Sequence, residues 1–445
     1  MAKSKIRGGV HPKGCKELSS GAATVPYQAK GELVFPLSQH IGKPAVPIVK
    51  KGDTVLAGQT IAKADGFISA PIISSGSGKV KIIEPRLTSA GVMAQCIVIE
   101  NDGQYTLDPS VGQKSDYTKL SSKEILDKVQ AAGIVGLGGA GFPTHAKLAP
   151  KNPEEIEYVI ANGAECEPYI TCDDRLMQEH PDWVVTGLKV VLQLFPNAKG
   201  VIAIEDNKPA AIAAMQKAVQ GDERLSVLEL ETRYPQGGER GLVHAVTGQW
   251  LGGGGALPAT LGCIVDNVTT LSAIYQAVCE GVPLMEKGFT VSGDAVANPG
   301  NFMIKLGTSL QEVLDAAGGL KAEAKKALLG GPMMGTAISS YDVPIVKANN
   351  ALLCMTTDEV EEADKLMTAC IRCGRCGTAC PMGLIPQMMA VAAKNKDYAR
   401  YDKLHGTDCI ACGSCTYICP AKRPLTQLFK QTKPVVLGLK REGKL

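Results

Sequence analysis

Eight cysteines near the C-terminus constrain this chain more than any other feature: Cys370, Cys373, Cys376 and Cys380, then Cys409, Cys412, Cys415 and Cys419. Each run reads C-x2-C-x2-C-x3-C and each is followed by a proline, Pro381 and Pro420. That spacing holds a pair of [4Fe-4S] clusters, the fourth cysteine of one run crossing to the other cluster. Crossed ligation assigns Cys370, Cys373, Cys376 and Cys419 to one cluster, and Cys409, Cys412, Cys415 and Cys380 to its neighbour. The two segments must then fold against each other, which sets the clusters side by side as an electron relay. Structural zinc and a disulfide framework are the competing readings. Zinc ribbons more often show two separated C-x2-C pairs than a three-cysteine run with a distant fourth.

Thiolate ligation needs reduced sulfur, which predicts a cytoplasmic setting. The other seven cysteines (Cys15, Cys96, Cys166, Cys172, Cys263, Cys279, Cys354) are scattered and read as small buried hydrophobes. At 445 residues the chain divides into several domains, with 45% apolar residues to build their cores. A net charge of +3 is too balanced to propose nucleic acid as a partner. The basic start MAKSKIRGGVHPKGC has no apolar core of a secretory signal, and no run of about 18 apolar residues predicts a transmembrane segment. From Lys422 to Leu445 seven Lys or Arg stand against one acid, Glu442. Residues 431–445 read as a basic tail, suited to anionic lipid or an acidic partner, or else simply a frayed, solvated terminus.

The organisation is multidomain α/β plus β. After an N-terminal extension (1–30), residues 31–105 are short apolar runs broken by Gly, Pro and Asp turns, the texture of strands. Val49-Lys-Lys-Gly-Asp-Thr-Val-Leu-Ala-Gly-Gln-Thr-Ile61, with Ser77-Gly-Lys-Val80, resembles a lipoyl-type barrel-sandwich hybrid. The turn Ser74–Ser77 carries no lysine, so the module reads as structural and not as a swinging arm. Over 115–285 a capping box, Ser121-Ser-Lys-Glu124, opens a helix to about Ala132, and helices then alternate with apolar strands as in an α/β domain. Residues 286–346 resemble a soluble-ligand-binding β-grasp (SLBB) module. Residues 350–430 are helix and cluster loops, a ferredoxin-like two-cluster domain, with 384–399 a helix bridging the cysteine runs.

Gly136-Leu-Gly138-Gly139-Ala-Gly141 satisfies G-x-G-x-x-G. A Rossmann loop follows a strand, whereas this one follows a helix whose C′ residue is Gly133. Its glycines still permit backbone N–H groups to close around a phosphate. Residues 133–147, GIVGLGGAGFPTHAK, are similar to the flavin-binding loop of the NADH-oxidising subunit of respiratory complex I. Asn162-Gly-Ala-Glu165-Cys-Glu167-Pro168 resembles that family's acidic loop, Tyr234-Pro-Gln-Gly237-Gly238-Glu239 its Tyr-x-x-Gly-Glu-Glu segment, and Asp266-Asn267-Val-Thr-Thr270-Leu its Asn-Asn-Val-Glu-Thr-Leu segment. The chain departs from that family at Ala164, Gly238 and Asp266.

Together with RGGVHP near the start, the barrel, the β-grasp module and the two cluster motifs, the whole chain resembles the RnfC family of Rnf electron-transport complexes. The resemblance implies FMN, NADH and two [4Fe-4S] clusters. Amides of Gly136, Gly138, Gly139 and Gly141 and the ammonium of Lys147 would neutralise the FMN phosphate. Asn162, Asn267 and Thr270, with Asp266, Gly237 and Gly238 nearby, would contact ring and ribityl oxygens. Phe142 would stack on nicotinamide or adenine. Glu165, Glu167 and Glu239 would receive ribose hydroxyls, favouring NADH over NADPH. Tyr234 belongs to this site or to the core, and Gly252–Gly255 to a nucleotide contact or a plain loop.

Hydride transfer requires no general acid or base, so no catalytic residue is assigned. The implied activity is that of an NADH-dependent ferredoxin:NAD+ oxidoreductase subunit, peripheral on the cytoplasmic membrane face. Its partners would be membrane subunits and a ferredoxin-like subunit. Two alternatives are a microcompartment cobalamin reductase, which lacks the preceding barrel, and a non-catalytic wiring subunit with a decayed flavin site.

Overall fold

A computed structural model describes residues 6–445, leaving the first five residues of the N-terminal extension outside it. The barrel is built of two small sheets. One orders Leu33–Pro36, Met93–Asn101, Gly78–Leu87 and Thr54–Val55; the other orders Val46–Pro47, Thr60–Lys63 and Ile72–Ile73. Period-two alternation drives Leu33 and Phe35 inward opposite Ile99 and Ile97. The turn Ser74–Ser77 is buried: Ser75 Oγ donates to Leu306 O at 2.5 Å and Ser77 Oγ to Asp102 Oδ1 at 2.7 Å. A hairpin sealed against the next module has no tip to swing.

The helix Ser122–Ala131 starts at the expected capping box, Ser121 and Glu124 bonding reciprocally. Gly133 ends it at φ 71°, where a Cβ would lie 2.8 Å from Pro71 O. Behind it stands a parallel sheet in the order Leu225–Leu230, Lys199–Glu205, Tyr158–Gly163, Cys263–Asn267. The middles of its central strands, Val159–Ala161 and Val201–Ile204, are apolar because helices cover both faces. Pro181–Leu192 and Val268–Val278 pack together closely enough that a Cβ on Gly187 would meet Leu271 O at 1.9 Å. Asn162 and Asn267 sit in register at the C-terminal ends of adjacent strands, where open α/β sheets form their crevice.

The β-grasp sheet reaches beyond residues 286–346. Its order is Val25–Tyr27, Gly300–Lys305, Glu286–Ser292, Ala351–Met355, Lys326–Leu329, Thr336–Ala337. One strand comes from the N-terminal extension and another from the segment read as the start of the cluster domain.

Two further expectations change. Residues 384–399 form not one helix but Pro386–Lys394 and Tyr398–Lys403, separated where Lys396 turns to φ 55°. The basic tail is not frayed either: Leu425–Arg441 is a single helix. Leu425, Phe429, Thr432 and Val436 form its buried stripe, Phe429 and Val436 packing with Met389 and Tyr401. Its charges occupy the solvent face, which a charge count alone cannot separate from a disordered tail. All fifteen cysteines are free thiols, and Cys96, Cys172, Cys263 and Cys354 are buried as small hydrophobes.

Candidate functional site

The glycine loop is held from below. Gly136 N–H donates to Phe142 O at 2.9 Å, and Leu137 N–H donates to Thr270 Oγ1 at 3.0 Å. Thr270 is fully buried and its hydroxyl accepts this bond, which turns it to the loop backbone, while Phe142 is half-buried and is not among the residues lining the cavity beside the loop. The amides of Gly138, Gly139, Ala140 and Gly141 find no acceptor among the described residues. Consecutive free amides of this kind suit an anion. Gly138 also admits no side chain, because a Cβ would meet Asn267 Cγ at 2.5 Å.

Lys147 is already paired. Its ammonium donates to Val265 O at 2.8 Å and to the buried carboxylate of Asp266 at 3.0 Å. Burial acts to lower its pKa, but the Asp266 charge wins and holds it above the ordinary value. Asp266 lies beneath the loop with Oδ2 unpartnered among the described residues. Lys147 is thus first the counter-ion of Asp266.

Beside the loop opens a cavity of 340 Å³, within the range of about 300–1,000 Å³ usual for small-molecule sites. Gly138, Asn162, Tyr234, Gly237, Gly238, Glu239 and Asn267 line it, bringing all four motifs to one place. Asn162 Nδ2 donates to Gly237 O at 3.0 Å, and Asn267 caps its helix while donating to Asp173 Oδ2 at 2.6 Å.

The acids divide. Glu165 lines the cavity but is spent inside: its carboxylate accepts from Asp173 N–H at 2.7 Å and Asp174 N–H at 3.3 Å, capping the helix Cys172–Glu179. Burial pushes its carboxyl up, Lys16 opposing. Glu167 accepts from Met333 N–H at 3.1 Å and Met334 N–H at 2.9 Å. Only Glu239, exposed in the first turn of Glu239–Thr247, stands uncommitted.

Sulfurs of the two runs come together in part. Cys380, Cys409, Cys412 and Cys415 line one small space of 20 Å³, and Cys415 feels the charges of the other three. Cys376 instead feels Cys419. The first, inner set is mostly buried, whereas Cys370 and Cys373 of the outer set are exposed. Both runs wind alike, with Arg372 and Ala411 in left-handed conformation and Gly374 and Gly413 opening short helices at φ 76° and 86°. The four converging thiols of the inner set fit a cubane cluster. Pro381, Met382 and Ile410 line both its space and the large cavity, forming the wall between them.

Further participants lie outside the four motifs. Lys16 Nζ donates to the carbonyls of Glu165, Glu167 and Ile170 at 2.8, 3.1 and 2.5 Å, gathering the acidic loop. Trp250, stacked on His244 at 3.9 Å, lines the cavity. The glycine run 252–255 turns to the cluster side, Gly254 N–H donating to Asp408 Oδ1 at 2.9 Å. RGGVHP threads between the regions: Gly9 N–H donates to Ala379 O at 2.9 Å, and Val10 exchanges backbone bonds with Tyr234.

Comparison with known proteins gives four family matches in chain order. They are the RnfC barrel sandwich hybrid domain over residues 4–104, the Nuo51 FMN-binding domain over 129–276, the SLBB domain over 289–337 and the 4Fe-4S dicluster domain over 369–422. The chain is 42% identical over 441 residues to the C subunit of the Na(+)-translocating ferredoxin:NAD(+) oxidoreductase complex of Acetobacterium woodii, covering 98% of each. It is 42% identical over 398 residues to the C subunit of the proton-translocating ferredoxin:NAD(+) oxidoreductase complex of Clostridium ljungdahlii, covering 89% of this chain and 86% of that one. The C subunit of an ion-translocating oxidoreductase complex of Haemophilus influenzae is 37% identical over 444 residues, covering 99% and 67%.

Proposed function

We infer that this chain, which belongs to the RnfC family of ion-translocating ferredoxin:NAD(+) oxidoreductase complexes, passes electrons between NAD(H) and the other subunits of such a complex. The observation that carries this reading is the shared wall of Pro381, Met382 and Ile410 between the large cavity and the inner sulfur set. Bound in these places, FMN and two [4Fe-4S] clusters supply the exchange between a hydride pair and single electrons, chemistry that the protein positions.

The free amides of residues 138–141 would hold the flavin phosphate, and Gly138, lacking a side chain, leaves room for Asn267 beside the loop. Asn162 and Asn267, braced by Gly237 O and Asp173, present the polar edge of the cavity. Glu239 receives ribose hydroxyls of the dinucleotide and repels a 2′-phosphate, which favours NADH. Ile6, Tyr234 and Ile410 give the cavity an apolar side that excludes water. Cys380, Cys409, Cys412 and Cys415 would hold one cluster beside the cavity, and Cys370, Cys373, Cys376 and Cys419 would hold the second, whose Cys370 and Cys373 are exposed toward a partner. Among the described residues no helix is long and apolar enough to cross a membrane, and partner subunits hold the chain at the cytoplasmic face.

Flavin extraction with an NADH-to-ferricyanide assay tests this. Gly138→Val is expected to abolish flavin retention and that activity while cluster absorbance persists. Full flavin content in the variant would remove the loop from the site. Lys147→Ala is a poorer probe, because it also strands the buried Asp266 carboxylate.

A further inference from the structure

Two lysines of the β-grasp region, Lys287 and Lys347, reach under the glycine loop and are 3% and 1% exposed. Lys347 Nζ donates to Pro71 O and Gly133 O, each at 2.7 Å. Lys287 Nζ donates to Asn350 Oδ1 at 2.8 Å, Lys347 O at 2.9 Å and Leu137 O at 3.2 Å. Every one of these acceptors is neutral. Neither ammonium has an ion pair among the described residues, and Asp173, whose charge reaches Lys287, is bonded to Asn267 and Thr269. Burial alone pulls Lys347 down to about 7. Burial pulls Lys287 to about 8 against the opposing charges of Cys172 and Asp173. Buried charges are ordinarily paired, and this pair lacks its anion.

The acceptors say where that anion sits. Gly133 and Leu137 bracket the entry to the loop, and the lysines draw both carbonyls inward. The amides that follow, at residues 138–141, are the ones left without acceptors among the described residues. A row of free amides above buried positive charge is an anion site built from two modules. We propose that Lys287 and Lys347 are the buried counter-charges of the flavin phosphate, so that the β-grasp module supplies half of the phosphate site. The proposal rests on the FMN reading above and adds the residues that distinguish a phosphorylated flavin from its dephospho form.

Binding of FMN and of riboflavin to flavin-stripped, cluster-loaded protein separates the possibilities. Wild type is expected to prefer FMN, and Lys287→Met and Lys347→Met to weaken FMN about tenfold or more while leaving riboflavin unchanged. Parallel weakening of both flavins would reduce the lysines to scaffold and overturn the proposal alone. A wild type without preference for FMN would overturn the phosphate site itself. Should the variants fail to fold, calorimetry of wild type at pH about 8, above the phosphate pKa of about 6, serves instead. FMN binding should take up protons as the lysines recharge, and riboflavin binding none. The titratable groups facing them are Cys172 and Asp173 at Lys287 and His40 at Lys347. Equal proton uptake with both flavins would sink the idea.

Discussion

The phenolic hydroxyl of Tyr234 donates a 2.7 Å hydrogen bond to the carbonyl oxygen of Cys412. A residue of the flavin-side motif thereby holds the backbone of an inner-set ligand. The same tyrosine exchanges backbone hydrogen bonds with Val10, next to Gly9, which bonds Ala379. Three segments far apart in sequence meet at one buried side chain.

Tyr234→Phe keeps the ring and leaves the Cys412 carbonyl without its donor. A lost buried hydrogen bond of this kind costs about 1–3 kcal/mol. Stopped-flow mixing with NADH should show flavin reduction at the wild-type rate and cluster reduction slowed several-fold. Equal slowing of both phases would place Tyr234 at the nucleotide instead.

Gly8 has φ 64°, and a Cβ there would meet Cys380 O at 2.8 Å. Gly8→Val therefore combines backbone strain of about 1–3 kcal/mol with a clash against a ligand-bearing peptide. Iron content should fall toward half as the inner cluster is lost, with FMN retained. Unchanged iron would show that the N-terminal segment only rests on the cluster domain.

Crossed ligation would make Cys380 and Cys409 partners, despite their lying in different runs. Cys380→Ser and Cys409→Ser should lose the same spin-resonance signal, and Cys419→Ser and Cys370→Ser the other. If Cys380→Ser matches Cys370→Ser, each run binds its own cluster.

Glu239 is the free acid of the cavity, whereas Glu165 and Glu167 are spent internally. Glu239→Gln should raise KM for NADH about 3- to 10-fold, as for loss of a net hydrogen bond of about 1 kcal/mol, and narrow discrimination against NADPH. Glu165→Gln should leave both parameters alone and lower Tm. The reverse pattern in steady-state kinetics would exchange their roles.

Lys347 carries a pH signature. Its folded-state pKa is depressed to about 7 from 10.5, so between these values the unfolded chain holds a proton that the folded apoprotein does not. Stability from this group therefore rises with pH across that window and is lost as pH falls through about 7. The Tm of flavin-free wild type should gain on that of Lys347→Met from pH 7 to 10. A constant difference would mean the ammonium is compensated.

Local chemistry was legible in the sequence alone: cysteine spacing for the clusters, a Ser–Glu capping box for the first long helix, glycines for a loop of exposed amides, and the order of four motifs for the cavity. These are properties of residues near one another in the chain, where spacing dictates geometry. Only the folded structure decided which groups were free to act. Glu165, Lys147 and Thr270 look like ligands as letters, yet helix Cys172–Glu179, Asp266 and Leu137 claim them first. Lys287 and Lys347 look like ordinary lysines, yet packing strips them of water beneath the loop. A polar group's role depends on its burial and its nearest partner, and for Lys147 and Thr270 that partner lies more than a hundred residues away in the chain.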